Sequence, residues 1–258
     1  VTQTVGADDT IDSDANPATG PTASFTLGIG ETRENVDAGL AEGDITAPTV
    51  LSVSLNEDTG VSESDLLTSD ATPTITVNFS EVVVGNASNV SIVGTGDVTA
   101  SSIVFDGDTL TIDLDALTAD GEYTITLSGI TDGSGNPLNG GQDESIVFAF
   151  DSFGPTVVGV SPSGEVAVPV SQIFVQFTDV FGMDADSVTD ANNYTLLASG
   201  GDGTFEDGNE TDYSALIQSL EFEENSLSVI ITLADALTVN DSYRLTINGE
   251  SSVRDAAG

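Results

Sequence analysis

The 258-residue chain carries 43 acidic residues, three arginines, no lysine and no cysteine, so its formal net charge is −40. This charge excludes nucleic-acid binding and argues against binding to anionic lipid head groups, because both require clustered basic residues. Membrane insertion is not expected either, since no apolar run approaches the ~18 residues that indicate a spanning helix.

The length suits two to three domains of about 100 residues each. Val, Ile, Thr and Ser predominate, which predicts an all-β fold, with β-sandwich domains in a row. Catalysis is not expected: without His, Cys or Lys the common nucleophile–base pairs are missing, and only paired carboxylates remain. Because the chain has 43 acidic residues, some carboxylates will lie close together by chance, so a close pair does not indicate an active site.

Residues 1–41 are predicted to be the C-terminal part of a β-sandwich domain. Two alternating segments, Ala23–Leu27 and Glu34–Ala38, predict strands. Roughly forty residues cannot close a sandwich, so the rest of this domain is expected upstream. An acidic loop precedes the strands, and its Asp-x-Asp-x-Asn spacing places oxygens on one side of a turn, as calcium sites require. The candidate ligands are Asp9, Asp12, Asp14 and Asn16.

A linker at residues 42–46 leads into an internal repeat. Ala47-Pro48-Thr49-Val50 recurs as Gly154-Pro155-Thr156-Val157, which defines predicted domains at residues 47–152 and 153–258. Alternating strands bounded by polar turns predict a seven-stranded sandwich in each copy. The matched segments are Ile75–Glu81 with Ile173–Asp179, Leu110–Leu114 with Val229–Leu233, and Tyr123–Gly129 with Tyr243–Gly249.

The repeat predicts equivalent core positions. Phe79 and Phe177 should both be buried, because they take the same place in matched strands. Tyr123 and Tyr243 lie on apolar strand faces and are also expected in the core.

The two copies differ in three respects. Gly200–Asp212 is an insertion in the second copy, and Asp184–Asn192 is expected to form at most one helical turn. The last strand of the first copy, Ser145–Phe150, has no counterpart before Gly258. We expect residues outside this sequence to supply that strand, either later in the same polypeptide or from a neighbouring subunit.

Residues 47–258 resemble two bacterial Ig-like domains of the kind found in S-layer proteins and large adhesins. The opening Pro-Thr with alternating valines, the strand Thr76–Glu81 and the closing motif Asp132–Pro137 carry this resemblance. In the second copy the closing motif is Arg254–Gly258. The resemblance implies tandem Ig-like β-sandwiches in an extracellular protein, and function only in broad terms.

Residues 1–41 are similar to the end of the B-type domain of serine-aspartate-repeat surface proteins. The matching segments are Asp9–Asp14, Phe25–Leu27, Gly30–Thr32 and Val36–Leu40. Those B-type domains bind calcium, although most of their ion loops would lie upstream of this sequence.

Calcium is the expected cofactor of the whole chain. It takes six to eight oxygen ligands, and the chain lacks both disulfides and the lysine needed for the isopeptide bonds of related adhesin domains. A further candidate loop runs from Glu57 to Asp65. Two groups of ligand candidates complete the set: Asp202, Asp207, Asn209 and Asp212 in the insertion, and Asp44 and Asp151 before the prolines that open the two domains. The alternatives are solvated acidic turns in the loops, and short Pro-stiffened linkers with an exposed acid at the junctions.

The functional prediction is a structural or adhesive stalk segment of a long bacterial surface protein, stiffened by calcium. Its expected partners are neighbouring domains or subunits of the same protein, with cell-surface glycans as a further class. Two alternatives stay open. One is a filament subunit assembled by strand exchange, and the other is a carbohydrate-binding accessory module of a secreted enzyme, which the absence of tryptophan disfavours.

Overall fold

The computed structural model describes residues 26–32, 44–167, 169–248 and 253–258. Contacts divide the chain into two units, Val1–Thr46 and Ala47–Gly258. In the first unit, residues 26–32 contain a turn and no strand. The other residues of the two strands predicted in this unit lie outside the described residues. The second unit is nearly all-β, which confirms the predicted fold class.

The first repeat is a two-layered sandwich in which a four-stranded antiparallel sheet, ordered β1-β3-β7-β6, faces a sheet ordered β2-β10-β8-β5. Its strands are β1 (Val50–Leu55), β2 (Leu67–Thr68), β3 (Thr74–Phe79), β4 (Val83–Val84), β5 (Val90–Gly94), β6 (Ala100–Asp106), β7 (Thr109–Leu114), β8 (Gly121–Leu127), β9 (Thr131–Asp132) and β10 (Glu144–Phe150). Strands β4 and β9 form a small separate ladder. The layers hold eight strands rather than the predicted seven, because the two-residue β2 pairs with β10 and is too short to show alternation.

The second repeat follows the same plan with a sheet ordered β11-β12-β16-β15 and a three-stranded sheet ordered β14-β13-β17. Its elements are β11 (Thr156–Ser161), β12 (Val170–Thr178), α1 (Ala185–Thr189), β13 (Tyr194–Ala198), β14 (Thr211–Asp212), β15 (Ile217–Glu223), β16 (Ser228–Leu237) and β17 (Tyr243–Ile247). The helical turn lies where the sequence predicted it, and the insertion contributes β14. The described part of the chain contains no helix with the length and hydropathy needed to span a bilayer.

Alternating residues of the strands form a separate apolar core in each repeat. Strands β3 and β7 show this most clearly, because every second side chain in them is buried. Phe79 pairs with Val50, and Phe177 with Val157; both rings are buried, which confirms the predicted equivalence. The Tyr123 ring stacks on the Phe148 ring with centroids 5.3 Å apart.

The two repeats differ most at β17. In the first repeat, β10 pairs with β8 along its whole length and completes the core. Among the described residues of the second repeat, β17 pairs only with β13, so its other edge borders an open groove. Tyr243 is consequently only partly buried, in contrast to Tyr123. Apolar side chains line the groove, including Val160, Val170, Ile173, Leu196 and Leu237.

Candidate metal centre at the domain junction

Three carboxylates converge where the two repeats meet. Asp151, Asp179 and Asp255 each contribute an oxygen to a group in which all three lie within 4.8 Å of one another. Asp151 and Asp255 are buried and Asp179 is half-buried. Three carboxylates this close together in a sheltered position could hold a divalent cation.

The first repeat fixes Asp151. This residue directly follows β10, and its N–H donates to the Thr68 carbonyl across the end of the sheet (3.0 Å). Its Oδ1 accepts a hydrogen bond from the Phe153 N–H (3.3 Å). The other oxygen, Oδ2, is buried and has no hydrogen-bond partner. Since buried carboxylate oxygens are normally satisfied, this orphaned atom calls for a partner.

The second repeat provides the other two carboxylates. Asp179 directly follows β12, and its Oδ1 accepts from the N–H groups of Phe181 (2.9 Å) and Gly182 (3.0 Å), so the turn orients the side chain. Asp255 pairs with Met183 in a short bridge, and its Oδ1 accepts from the Gly258 N–H (2.7 Å). Both acids are therefore held by backbone donors and are preorganised.

Helix α1 fastens the segment that carries Asp255. Asp184 caps the helix by accepting from the Asp186 and Ser187 N–H groups (2.9 and 3.2 Å). Its Oδ2 also forms a salt bridge with Arg254 Nη2 at 2.7 Å. The Arg254 N–H donates to Ser187 Oγ (3.0 Å). The arginine preceding Asp255 is thus used to anchor the segment.

Electrostatic repulsion is visible within the cluster. Burial, reinforced by the charge of Asp179, raises the pKa of Asp151 to about 6. Burial also raises the pKa of Asp179, with Asp255 adding to the effect. Both arginines of the described residues have other partners, since Arg244 pairs with Glu206 and Arg254 with Asp184. At neutral pH the cluster therefore carries negative charge without a basic side chain to balance it.

A direct contact between the repeats lies beside the cluster. The Val61 N–H donates to the Ala256 carbonyl (3.1 Å), and Thr59 Oγ1 donates to the Ala257 carbonyl (2.7 Å). Gly60 lies between these donors with φ = +90°, and a Cβ placed on it would be 1.9 Å from the Ala256 oxygen. Glycine is required here on both counts, for backbone conformation and for close approach.

The insertion loop has a different arrangement. Asp202 accepts hydrogen bonds from the Thr204 N–H (2.9 Å) and from Asn209 Nδ2 (2.7 Å), and Asp207 Oδ2 accepts one from Thr204 Oγ1 (2.8 Å). The hydrogen bond from the Thr204 N–H, followed by that from the Asn209 side chain, lowers the pKa of Asp202. Asp212 accepts from the Ser214 N–H (2.8 Å). Within this described loop no three carboxylates approach as in the junction cluster, and calcium binding here stays a prediction.

The remaining predicted ligands fall elsewhere. Asp9, Asp12, Asp14 and Asn16 lie outside the described residues. Asp44 is exposed in the N-terminal unit, where its Oδ1 accepts from the Thr46 N–H (2.9 Å). In the Glu57–Asp65 loop, Asp58 Oδ2 accepts from the Leu66 N–H (3.3 Å), and burial raises its pKa.

Of the three carboxylates in the cluster, only Asp151 is among the ligands predicted from the sequence, whereas Asp179 and Asp255 are not. The repeat contained the missing signal, because both positions are acidic in each copy: Glu81 matches Asp179, and Asp132 matches Asp255. The carboxylates of Glu81 and Asp132 also approach within 4.8 Å of each other. Asp132 accepts hydrogen bonds from the Asn136 N–H and side-chain amide (2.8 and 2.7 Å). Asp132 therefore receives more hydrogen bonds from its own turn than Asp255, which accepts one from the Gly258 N–H.

Two sandwiches in a row, whose four-stranded sheets β1-β3-β7-β6 and β11-β12-β16-β15 have the same strand order, define a tandem Ig-like protein. The chain belongs to the bacterial Ig-like domain family, whose model matches residues 44–152 and again residues 151–258. The two matches meet at Asp151, so the carboxylate cluster lies at the boundary of the two family domains. The matches do not extend to residues 1–41, and the resemblance of that segment to a B-type domain stays a prediction.

Solved structures show remote likeness. The chain is similar to the N-terminal part of the bacterial S-layer protein SbsC, with 15% identity over 80% of this chain and 45% of that one and a TM-score of 0.30. It is also similar to SGBP-B from a xyloglucan utilization locus in Bacteroides uniformis, with 10% identity over 82% and 49% of the two chains and a TM-score of 0.25. The titin I9–I11 tandem gives 11% identity, 78% and 64% coverage and a TM-score of 0.21. The chain thus spans 45% to 64% of these structures, and comparison with curated protein sequences found no match.

Proposed function

We propose that this chain is a non-catalytic, structural segment of an extracellular bacterial surface protein, in which two Ig-like domains are held in a fixed mutual orientation. The direct hydrogen-bonded contact of Thr59 and Val61 with Ala256 and Ala257 is the observation that carries this proposal. Independent domains on a flexible linker need no such contact. The neighbouring domains of the same protein are the partners that this role requires.

The linker and the charge support the same role. Between β10 and β11 only residues 151–155 intervene, and one of them is Pro155, which restricts the backbone. Phe181 and Ala256 of the second domain line a cleft together with Leu67 and Ala149 of the first, so apolar residues of both domains border the junction. A net charge of −40 keeps the surface highly solvated and suits a segment exposed to the medium.

Replacing Gly60 with alanine should loosen the two domains. The new Cβ meets the Ala256 carbonyl and is strained at φ = +90°, so the contact must open. Because the chain has no cysteine, spin labels attached at Ser91→Cys and Ser219→Cys, both on exposed strand positions, report one distance between the domains. Double electron–electron resonance should show a narrow distribution in the parent chain and a broader one in the Gly60→Ala variant.

Gly107→Ala is the matched control for this experiment. Gly107 also has a positive φ (+66°), but nothing lies within 4 Å of the position that its Cβ would take. The control therefore introduces similar backbone strain without touching the domain contact, and its distance distribution should match that of the parent. A broad distribution in the parent chain in millimolar calcium would contradict the proposed role.

The open edge of β17 favours a second candidate, a filament subunit completed by strand addition. Strand β10 fills the corresponding place in the first domain with Ile146, Phe148 and Phe150. A strand of the same chemistry is what the groove beside β17 would accept, by main-chain pairing with alternate side chains pointing inward.

A synthetic peptide with the sequence of residues 144–150 tests this candidate. We expect it to bind the full chain and to slow amide hydrogen exchange in β17, because paired backbone N–H groups are protected. A peptide in which Ile146, Phe148 and Phe150 are replaced by serine should not bind. Equal protection by both peptides, or by neither, would exclude sequence-specific strand addition at this edge.

A further inference from the structure

We infer that Asp151, Asp179 and Asp255 form a single calcium site that ties the end of the first domain to the base of the second. The inference deepens the structural role proposed above and is built from separate observations. Asp179 and Asp255 are assigned to the site because their carboxylates lie close to that of Asp151 at the junction.

The buried oxygen of Asp151 is the observation that points to a ligand. Asp151 is only 2% exposed, and its Oδ2 has no hydrogen-bond partner while Oδ1 is used by the Phe153 N–H. A carboxylate in such a position loses its hydration and gains nothing in exchange, which costs free energy unless a cation or a proton joins it. The neighbouring carboxylates make the cation the better partner, because a single proton leaves two negative charges unbalanced.

The ligand chemistry favours calcium among common cations. Hard carboxylate oxygens select Ca²⁺ or Mg²⁺ over zinc or copper, and no His or Cys is present in the chain. Ca²⁺ binds oxygens at about 2.3–2.6 Å, so ligands on opposite sides of the ion lie about 4.6–5.2 Å apart. Carboxylate oxygens within 4.8 Å of one another fit that span. Mg²⁺ demands a tighter octahedron and retains its water more strongly.

Surrounding groups complete a suitable environment. Asp120 contributes further negative charge near Asp151, while its own Oδ1 accepts from the Ser152 N–H (3.0 Å) and Ser152 Oγ (2.9 Å). Asp120 thus fixes the linker residue Ser152, which directly follows Asp151. Calcium bound to Asp151 on one side and to Asp179 and Asp255 on the other would crosslink the domains beside the Gly60 contact.

Calcium titration of the full chain tests the site. By isothermal calorimetry in about 0.15 M NaCl, where the Debye length is about 8 Å, Asp151→Asn and Asp179→Asn should each bind one equivalent of Ca²⁺ fewer than the parent. Asparagine keeps the Oδ1 that accepts the turn hydrogen bonds, so local structure is retained. The matched control is Asp106→Asn, which removes one charge from the exposed end of β6 and should leave the stoichiometry unchanged.

Thermal unfolding in chelator provides a second readout that a merely structural role would not produce. Without calcium, Asp179→Asn should melt at a higher temperature than the parent because it removes repulsion, and calcium should then stabilise it less. If both variants bind as many equivalents as the parent, or if chelator-treated Asp179→Asn is less stable than the parent, the site is refuted. If the parent chain binds no calcium at the junction but its inter-domain distance distribution is narrow, the calcium site is refuted and the structural role stands. If it binds calcium but the distribution is broad, the structural role is refuted.

Discussion

Replacing Phe79 or Phe177 with alanine is expected to destabilise the domain that contains it by about 3–5 kcal/mol. Both rings are 2–3% exposed and occupy equivalent places in the two cores. Truncation removes apolar contact and leaves a cavity that the surrounding strands cannot close, because β3 and β12 are each fixed on both sides by hydrogen-bonded neighbours. Urea unfolding followed by circular dichroism would measure the loss.

Phe153→Ala is the control for these core substitutions. The Phe153 ring is 74% exposed in the linker, so its removal should change the free energy of unfolding by no more than about 0.5 kcal/mol. A small effect at Phe79 or Phe177, comparable to that at Phe153, would show that the register of the central strands is wrong by one residue.

Millimolar calcium should raise the melting temperature of the chain by several degrees, and chelation should lower it. We expect the folded state to depend on cations, because the net charge of −40 produces strong self-repulsion and no disulfide offsets it. An ion present at 100 times its dissociation constant contributes about 2.7 kcal/mol when it binds only the folded state. Differential scanning calorimetry with calcium and with chelator measures the shift.

The ionic control separates specific sites from a diffusely acidic surface. Sodium chloride at matched ionic strength should reproduce only a small part of the calcium effect, because it screens surface charge without bridging the buried carboxylates. Magnesium should also give less, for the coordination reasons given above. Equal stabilisation by all three salts would mean that charge screening alone accounts for the dependence, without a specific site.

The fold was predictable because its signals are local. Alternating residues in β3, β7, β12 and β16 mark strands directly, and the repeated Pro48 and Pro155 align the two copies without knowledge of the structure. The family resemblance implied the Ig-like sandwich, but the pairing of individual strands was not predicted from the sequence. The short β2 was missed because two residues carry no periodicity.

The candidate metal centre was predictable only in part, because it depends on contacts between distant segments. Asp151 was a candidate through its place before Pro155, but Asp179 and Asp255, which are distant from it in sequence, come near it only in the folded chain. Most of the ligands predicted from the sequence lie in dense acidic loops, because the spacing of ligands within one loop can be read from a sequence. In the insertion those carboxylates instead accept hydrogen bonds from neighbouring Thr204 and Asn209. Matching acidic positions between the repeats would have been the better guide.

The central claim is that calcium at the junction holds the two domains in one orientation. Spin labels at Ser91→Cys and Ser219→Cys test it most directly when the inter-domain distance distribution is recorded in calcium and in chelator. We predict a single narrow distribution with calcium, broadening in chelator, and a broad distribution under both conditions when Asp179→Asn is added. A distribution that is unchanged by calcium, or equally narrow in the Asp179→Asn chain, would contradict the claim.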